Sequence, residues 1–513
     1  MKTSIKKMAA VAGSAALLAA LAACTPGASD GNSSASGGGF SYRLATQYQD
    51  WLKDLEWFPA AQKQSGVNVD LVDGGANDSY YQKLDLAMTS GDVQDAVISS
   101  YAQSQVYGAQ GAFQDLAPLI KQDAPNIQKY LDSNPEYRNL VTNSSGQIFG
   151  LMAEQPKLSH VTFYRSDMYK AAGVTPGDSV NIEEFTEQLQ KLKDFYGQKV
   201  PNYYPLSGRD SFLKFNYAFG AEDSIVDGKV HGAYNSGSAQ DLFSPNFKKE
   251  IEWYRDLYSR GLVDPEWVNG SNTEDSWQEK MLTGKASVAD DFFTRPQWFM
   301  QNGGPKNDPA YAVDVLPAFT TSDGQPGQRP TSIYQTNRVL AVSAKSNKAP
   351  QVLKFLDYLY SPDGQTTMHY GVEGQSYKLV DGKPQYTADF TTEGNKPVGT
   401  PAWNFLQERL TFPTPADDEA YQQWMDPQTK SFAPEYFNNS VKVVPTLTYT
   451  AEQLDKRTSL KAAVDPFVTA QIAQFVQGKQ GMDQWNSFLD EATAKGYKDI
   501  VAIDQAAYEA LQK

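Results

Sequence analysis

Cysteine and histidine are scarce in this chain of 513 residues, which contains one cysteine and three histidines. A single cysteine excludes an internal disulfide, so the folded part has to be stabilised by its hydrophobic core. The histidines His160, His231 and His369 do not have the spacing of a metal-binding motif, and each is interpreted as a hydrogen-bonding residue. We therefore predict neither a bound metal ion nor a cofactor.

Basic side chains are also in the minority, since 45 lysines and arginines face 60 aspartates and glutamates and the formal net charge is −15. Nucleic acids and anionic phosphates are bound by concentrated Lys and Arg, so neither is predicted as a partner. After residue 23 the chain has no apolar run long enough to span a membrane. This composition favours a globular protein with a neutral ligand.

Aromatic residues are plentiful by contrast, with 29 tyrosines, 25 phenylalanines and 9 tryptophans. Most of these rings are expected in the core. A flat ring can also pack against the apolar C–H face of a sugar, while planar Asp, Asn, Glu or Arg groups bind its hydroxyls. The surplus of rings therefore indicates a carbohydrate ligand.

The first 23 residues are typical of a secretory signal peptide. Lysines at positions 2, 6 and 7 precede an apolar stretch, residues 9–23, that is too short for a permanent membrane helix. The run Leu21-Ala22-Ala23-Cys24 at its end resembles the lipobox of bacterial lipoproteins, in which the cysteine sulfur is acylated. This resemblance implies a lipid of the palmitate type on Cys24. The alternative is an incidental cysteine behind an ordinary cleavage site.

Residues 24–39 are rich in Gly, Ser, Ala and Asn and are predicted to be a flexible tether. Because acyl chains contribute about 0.8 kcal/mol per buried CH₂, such an anchor would hold the mature protein on the extracellular face of the cell membrane. From Phe40 onward the chain is longer than one core usually organises, so two lobes are expected.

Short apolar runs alternate with helical stretches in the first folded segment, residues 40–99. The helix predicted at 78–90 has four inward-facing residues, namely Tyr81, Leu84, Leu86 and Met88. The alternation of strand and helix indicates a parallel α/β sheet, whose ligands bind beyond the carboxyl ends of the strands. These ends are the loops 47–51, 74–80 and 100–107.

A second α/β region is predicted after residue 155, with a helix at 182–196 capped by Asn181. A strand at 286–289 is expected to deliver Asp290 and Asp291 to its carboxyl end. Trp253, on a predicted helix, is assigned to the core. The last part of the chain, residues 451–513, is predicted to be mostly helical.

Several motifs occur in an order that resembles the bacterial extracellular solute-binding proteins of family 1, especially the long oligosaccharide-binding lipoproteins of ABC importers. The segment 111–120, Gly-Ala-Phe-Gln-Asp-Leu-Ala-Pro-Leu-Ile, is similar to a signature of that family. The same holds for Tyr164-Arg165-Ser166-Asp167 and for Gly371-Val372-Glu373-Gly374-Gln375-Ser376-Tyr377. The likeness is spread over nearly the whole chain after the tether.

The resemblance implies an α/β fold of two lobes with a hinge and an interlobe cleft. It implies a first lobe of residues 40–155 plus 339–368 and a second lobe of residues 156–338 plus 369–513. It further implies a monomer that captures a neutral oligosaccharide and delivers it, unaltered, to the membrane subunits of an ABC permease. Such a protein is not an enzyme, has no catalytic residues and contacts the membrane through its lipid anchor.

Some long members of the family carry a calcium loop after the helix that ends here near Tyr196. This sequence instead continues Gly197-Gln198-Lys199-Val200-Pro201-Asn202-Tyr203-Tyr204, which lacks alternating carboxylates. Calcium requires a cage of such oxygen ligands. We therefore predict no structural calcium at this position.

The candidate ligand-binding residues are aromatic or polar and lie near predicted strand ends or in the family motifs. The first lobe contributes Tyr48, Asp50, Trp51, Asn77, Tyr80 and Tyr101. The second lobe contributes Arg209, Phe212, Asp290, Asp291, Arg295 and Trp298. The segments that return to the cleft contribute Tyr334, Asn337, Glu373, Gln375, Tyr377 and Trp403.

Two other functions stay open at this level. Asp290 and Asp291 could form half of a glycosidase acid pair, which needs two carboxyls about 5–9 Å apart and one raised pKa. The chain would then be a surface carbohydrate-active enzyme. A peptide-binding lipoprotein is the remaining alternative, and the surplus of aromatic residues disfavours it.

Overall fold

Mixed α/β structure fills the part of the chain that this computed structural model describes, residues 40–512 without 48, 54, 76, 144, 158–159, 222–224, 233, 236–238, 303, 388–411, 425–430, 432–433 and 437–440. The predicted signal peptide, tether and Cys24 lie outside the described residues. No helix in the described part is long and apolar enough to cross a membrane.

The strands are β1 Phe40–Thr46, β2 Val67–Asp73, β3 Ala96–Ser99, β4 Leu151–Glu154, β5 His160–Arg165, β6 Ile225–Val226, β7 Lys229–Val230, β8 Tyr234–Asn235, β9 Ala239–Gln240, β10 Val288–Phe292, β11 Val313–Val315, β12 Arg329–Thr331, β13 Tyr334–Val342, β14 Tyr377–Val380, β15 Lys383–Tyr386 and β16 Val441–Val443.

The helices are α1 Gln49–Leu52, α2 Trp57–Ser65, α3 Asn77–Ser90, α4 Tyr101–Ala109, α5 Ala117–Asp123, α6 Pro125–Ser133, α7 Pro135–Val141, α8 Ser166–Ala171, α9 Ile182–Tyr196, α10 Asn216–Phe219, α11 Pro245–Ser259, α12 Pro265–Val268, α13 Glu274–Thr283, α14 Arg295–Gln301, α15 Gly304–Asn307, α16 Ala349–Tyr360, α17 Pro362–Tyr370, α18 Asp418–Trp424, α19 Ala451–Val476, α20 Trp485–Ala494 and α21 Tyr497–Leu511.

The first sheet has the strand order β2-β1-β3-β13-β4. Its first three strands are parallel, as the alternation of strand and helix predicted. β13 pairs antiparallel with both β3 and β4, so the complete sheet is mixed. The reason is the chain path, because β13 enters this sheet from the second region rather than through a helical crossover.

Helices of the first segment begin and end where local signals place them. α2 ends at Gly66, which adopts the left-handed conformation with φ 68° that favours glycine. In α3, Tyr80 and Leu84 are buried and one helical turn apart, whereas Leu86 is 71% exposed. The prediction that Leu86 faces inward was wrong, because two residues in a helix turn a side chain about 200° away from the buried stripe.

The second sheet has the order β10-β5-β11 and is antiparallel throughout. β10 ends at Phe292, three residues beyond the predicted end at 289, so Asp290 and Asp291 lie within the strand rather than after it. α9 begins with a capping box in which the Asn181 side chain accepts from the Glu184 backbone N–H, as predicted for its start.

Two hydrophobic clusters hold the described chain together. One surrounds the first sheet and extends to Val161 and Phe163 of the second sheet. The other packs α9 and α11 against α19, with Leu189, Phe247 and Ile472 fully buried. Trp253 lies partly buried against this second cluster, in agreement with its assignment to the core.

The chain leaves the first sheet after β4, which precedes β5 of the second sheet, and it re-enters the first sheet through residues 332–333, which join β12 to β13. These two passages are hydrogen-bonded to each other, since the backbone N–H of Gln155 donates to the carbonyl of Ile333 at 2.7 Å. A third segment joins them, because β16 pairs in parallel with β12. The bounds of the two lobes stay a prediction.

Candidate functional site

Of the predicted first-lobe candidates, Tyr80 and Tyr101 lie near one edge of the first sheet. The parallel strands β1, β2 and β3 end there, while the antiparallel β13 begins there at Tyr334. Tyr80 is 2% exposed and its hydroxyl donates to the carbonyl of Ala45 at 2.9 Å. The hydroxyl of Tyr81 donates to the carbonyl of Asn337, which links α3 to β13.

Three of the predicted tyrosines are packed rather than open to solvent, since Tyr80, Tyr101 and Tyr334 are all below 10% exposed. The ring of Tyr334 packs on Tyr137, with centroids 5.7 Å apart. Thr336 and Asn337 of β13 are exposed at this edge. These buried tyrosines therefore support the edge of the sheet and do not offer an open ring face to a ligand.

Asp290 and Asp291 are neighbours on β10 and each is bound by its own arginine. Asp290 accepts from both Nη atoms of Arg329 at 2.8 Å. Asp291 accepts from Nε of Arg209 at 2.6 Å and from its Nη2 at 3.0 Å. Adjacent strand residues point to opposite faces, which explains why one strand holds two separate pairs.

The charge state of both aspartates follows from these partners. Burial alone would raise the pKa of Asp290, but the Arg329 guanidinium holds that pKa below its usual value. Burial acts in the same way on Asp291, and Arg209 and Arg295 lower its pKa. Both carboxyls are therefore ionised and occupied, whereas a glycosidase acid needs a raised pKa. This observation disfavours the glycosidase alternative.

Phe292 follows the two aspartates on β10 and is 44% exposed, which is unusual for a ring at the end of a buried strand. It stacks on His160 of β5 with centroids 4.7 Å apart and an interplanar angle of 28°. The Arg209 guanidinium lies 5.4 Å from its centroid. Burial and the nearby Lys214 lower the pKa of His160 to about 3, so this ring is neutral at ordinary pH.

Arg209 also belongs to a small network of charges. Glu274 accepts from Arg295 at 2.6 Å and lies 3.5 Å from Nη1 of Arg209. Arg295 Nε lies 3.8 Å from Asp291. Asp210 lies 3.3 Å from the same Nη1, so two arginines face three carboxylates and both positive charges are matched. The half-buried Trp298 lies beside this network, because the Arg295 guanidinium is 5.7 Å from its ring.

The other predicted residues lie elsewhere or outside the described part. Phe212 is buried and packs on the ring of Tyr254, 5.0 Å away. Glu373 and Gln375 are exposed in the turn before β14, and Tyr377 packs on Tyr370. The residues whose side chains the structure does not describe are Tyr48, Asp50, Trp51, Asn77 and Trp403.

Sequence reasoning missed Phe292 and Arg329. Phe292 carried a usable signal, because it directly follows two polar residues at the end of a predicted strand. Arg329 carried none, since it is 39 residues from Asp290 and only the tertiary fold brings the two together.

No group of three or more His, Cys, Asp or Glu side chains that could hold a metal ion occurs among the described residues. At the position of the family's calcium loop, the Lys199 ammonium lies 3.2 Å from the centroid of the Phe195 ring. Lys193 donates to the carbonyl of Tyr203 at 2.6 Å. The ammonium groups of Lys193 and Lys199 therefore lie in this region.

We expect the melting temperature to be the same in excess calcium and in EDTA, because the segment 197–204 supplies no carboxylate ligands. Differential scanning calorimetry of the two samples measures this, with magnesium as the control for general ionic effects. A rise specific to calcium would contradict the prediction.

Comparison with known proteins supplies independent findings. The family model described as bacterial extracellular solute-binding protein matches residues 46–366. The fructooligosaccharide ABC transporter substrate-binding protein FusA of Streptococcus pneumoniae is 23% identical over 487 residues, which cover 88% of this chain and 86% of FusA. The lipoprotein LipO of Bacillus subtilis is 24% identical over 325 residues, 59% of this chain and 60% of LipO.

Solved structures share the fold. The alginate-binding protein AlgQ2, solved without calcium ion, superposes with a TM-score of 0.70 at 18% identity, covering 91% of this chain and 98% of AlgQ2. FusA in complex with kestose superposes with a TM-score of 0.69 at 19% identity, covering 92% of this chain and 99% of FusA. These are two-lobed proteins, so the predicted α/β fold class of two lobes is confirmed.

Proposed function

Because this chain belongs to the family of bacterial extracellular solute-binding proteins, we propose that it captures a neutral oligosaccharide and delivers it to the permease subunits of an ABC importer. FusA, which is named for fructooligosaccharides, supports the class of ligand. AlgQ2 is named for alginate and indicates that the same fold also serves other glycans.

The observation that carries the proposal is the exposed ring of Phe292 beside Arg209 and Asp291. An aromatic face with planar hydrogen-bonding groups at its border matches a sugar ring, whose faces are apolar and whose rim bears hydroxyls. His160 stacks on Phe292 and fixes its orientation. The hydrogen bond to Asp291 holds the Arg209 guanidinium in place, so its remaining N–H donors are already oriented before a ligand binds.

The balance of charge around Phe292 favours an uncharged ligand. Arg209 and Arg295 are both paired with Asp291 or Glu274. Recognition of a uronic acid would need an arginine whose charge is not already matched by a carboxylate. A neutral glycan needs no such charge, because its hydroxyls can form hydrogen bonds with the paired arginines and carboxylates.

We assign the ligand-facing role to Arg209, Asp291, Arg295 and Trp298 together with Phe292. Asp290, Phe212 and Tyr80 are buried and already bonded or packed, so we assign them to positioning. Asn337, Glu373 and Gln375 are exposed, and their contact with the ligand stays a prediction from the sequence.

The proposal includes the cellular setting. The protein would be a monomer, attached through Cys24 to the extracellular face of the membrane and tethered by residues 24–39. A relative named as a lipoprotein, LipO, supports the anchor. The glycan would leave the cleft unaltered, since the paired aspartates provide no acid and the family consists of binding proteins.

A panel of oligosaccharides tests the proposed function. We expect a neutral glycan, such as kestose or another fructooligosaccharide, to bind at one per chain in isothermal titration calorimetry. Alginate oligomers, which carry a carboxylate on every ring, serve as the charged control and should not bind. Chromatography of the recovered sugar should show it intact. Turnover of any neutral glycan would refute simple capture.

A further inference from the structure

The segment 206–212 carries an exposed carboxylate, that of Asp210, to the place where β10 ends at Phe292. The segment begins beside β10, because Leu206 forms a parallel bridge with Val288. Two chains that run in parallel reach the same edge of a sheet, which is where ligands of such folds bind. Asp210 was not predicted as a site residue from the sequence.

Asp210 adjoins the proposed ligand site through Arg209. One of its carboxylate oxygens is 3.3 Å from Nη1 of Arg209, whose guanidinium is 5.4 Å from the centroid of the Phe292 ring. Asp291 already forms two hydrogen bonds with the same guanidinium. The Asp210 side chain is 65% exposed, so most of its acceptor positions remain available to a ligand.

The backbone of Asp210 is left-handed with φ 58°, which is unfavourable for a residue other than glycine. Two other aspartates share this conformation, Asp227 with φ 50° and Asp381 with φ 51°. Each of these lies in the two-residue Asp-Gly turn of a β-hairpin, where a positive φ is required. Asp210 is followed by Ser211 and does not join two strands of the described chain, so hairpin geometry does not explain its conformation.

Buried neighbours hold the chain just before Asp210. The carbonyl of Gly208 accepts from Nδ2 of Asn272 at 2.7 Å. The carbonyl of Arg209 accepts from Nε1 of Trp267 at 3.1 Å. Gly208 also fits against the indole of Trp267, where a Cβ atom would lie 2.6 Å from the ring. The fold therefore maintains a strained residue at this point, a feature that is typical of functional sites.

Stability does not account for this arrangement. An ion pair with a partner as exposed as Asp210 contributes little to the free energy of unfolding. The left-handed backbone opposes folding. Because the ion pair adds little and the backbone conformation is unfavourable, binding explains the residue better than stability does.

We propose that Asp210 is a specificity-determining residue of the sugar site, which accepts a hydrogen bond from one hydroxyl while Arg209 donates to the hydroxyl beside it. This role rests on the proposed function. A sugar that packs its C–H face on Phe292 presents its hydroxyls at the border of the ring, where these two groups lie. A donor and an acceptor side by side match two adjacent hydroxyls, and a deoxy sugar would leave Asp210 without its hydrogen bond.

Isothermal titration calorimetry with the neutral glycan that binds the parent protein tests this role. Asp210→Gly removes the carboxylate and fits the left-handed backbone, so we expect Kd to rise about 10- to 100-fold. The melting temperature should stay close to that of the parent, because the relief of strain offsets the greater freedom of glycine in the unfolded chain. Asp210→Asn tolerates the same backbone and keeps one acceptor oxygen, so it should weaken binding less than Asp210→Gly.

Asp227→Gly is the matched control, because Asp227 is also an exposed aspartate with a left-handed backbone. Its Kd should equal that of the parent. An unchanged Kd in Asp210→Gly, or an equal loss of affinity in Asp227→Gly, would overturn the role of Asp210 and leave the proposed function intact. A parent protein that binds no neutral glycan would instead refute the proposed function, and the role of Asp210 with it.

Discussion

Replacing Asp290 by alanine is expected to lower the free energy of unfolding by about 3–5 kcal/mol, the cost of leaving one partner of a buried ion pair alone. The Asp290 side chain is fully buried and that of Arg329 is 12% exposed. Without the carboxylate, Arg329 keeps its charge but loses the two hydrogen bonds to Asp290. Thr162 loses its acceptor as well, since its hydroxyl donates to Asp290 at 2.8 Å.

Urea unfolding followed by circular dichroism measures this loss. Asp256→Ala is the matched control, because Asp256 pairs with Arg260 at 2.7 Å on a helix surface where such pairs contribute only about 0.3–0.5 kcal/mol. A loss below about 1 kcal/mol for Asp290→Ala would contradict the assignment of this pair to the structure.

The contribution of Asp290 to the free energy of unfolding depends on pH, and the direction of this dependence follows from its pKa. The pKa of Asp290 is lowered in the folded state, so its contribution is present above the ordinary aspartate pKa and is lost as the pH falls through the folded-state value. We therefore expect the difference in stability between the parent and Asp290→Ala to shrink in acid.

Phe292→Ala is expected to weaken glycan binding by about 1–3 kcal/mol, or roughly 5- to 150-fold in Kd, the range found for truncating an aromatic contact. The ring is exposed and held by His160, so its removal deletes a stacking surface without opening a core cavity. Calorimetric titration with the glycan selected by the panel measures the effect.

Phe243→Ala is the matched control for this substitution. Phe243 is 40% exposed, close to the 44% of Phe292, and its ring lies beside Tyr497 of the C-terminal helix α21. Its removal should leave Kd unchanged. Equal affinity in Phe292→Ala and the parent would show that the glycan does not use this ring, and Trp298 would become the next candidate.

Local sequence signals predicted the helices and strands well where the chain itself supplies the boundary. Gly66 ends α2 through its left-handed conformation, and Asn181 with Glu184 begins α9 through reciprocal hydrogen bonds. These features depend on a few neighbouring residues, so they can be read without knowing the tertiary structure.

The remaining features depend on contacts between distant segments. Asp290 was predicted as a ligand-binding residue from its place after a strand, whereas its pairing with Arg329 is determined by the path of the chain. The direction of β13 within the first sheet has the same origin.

The central position of β13 has a consequence for biosynthesis. Its neighbours β3 and β4 are complete by residue 154, but β13 itself ends at Val342. A chain synthesised amino end first therefore lacks the strand between β3 and β4 until nearly two hundred further residues have followed. Until then the edges of β3 and β4 can pair with wrong strands, so chaperones would be most useful during this interval.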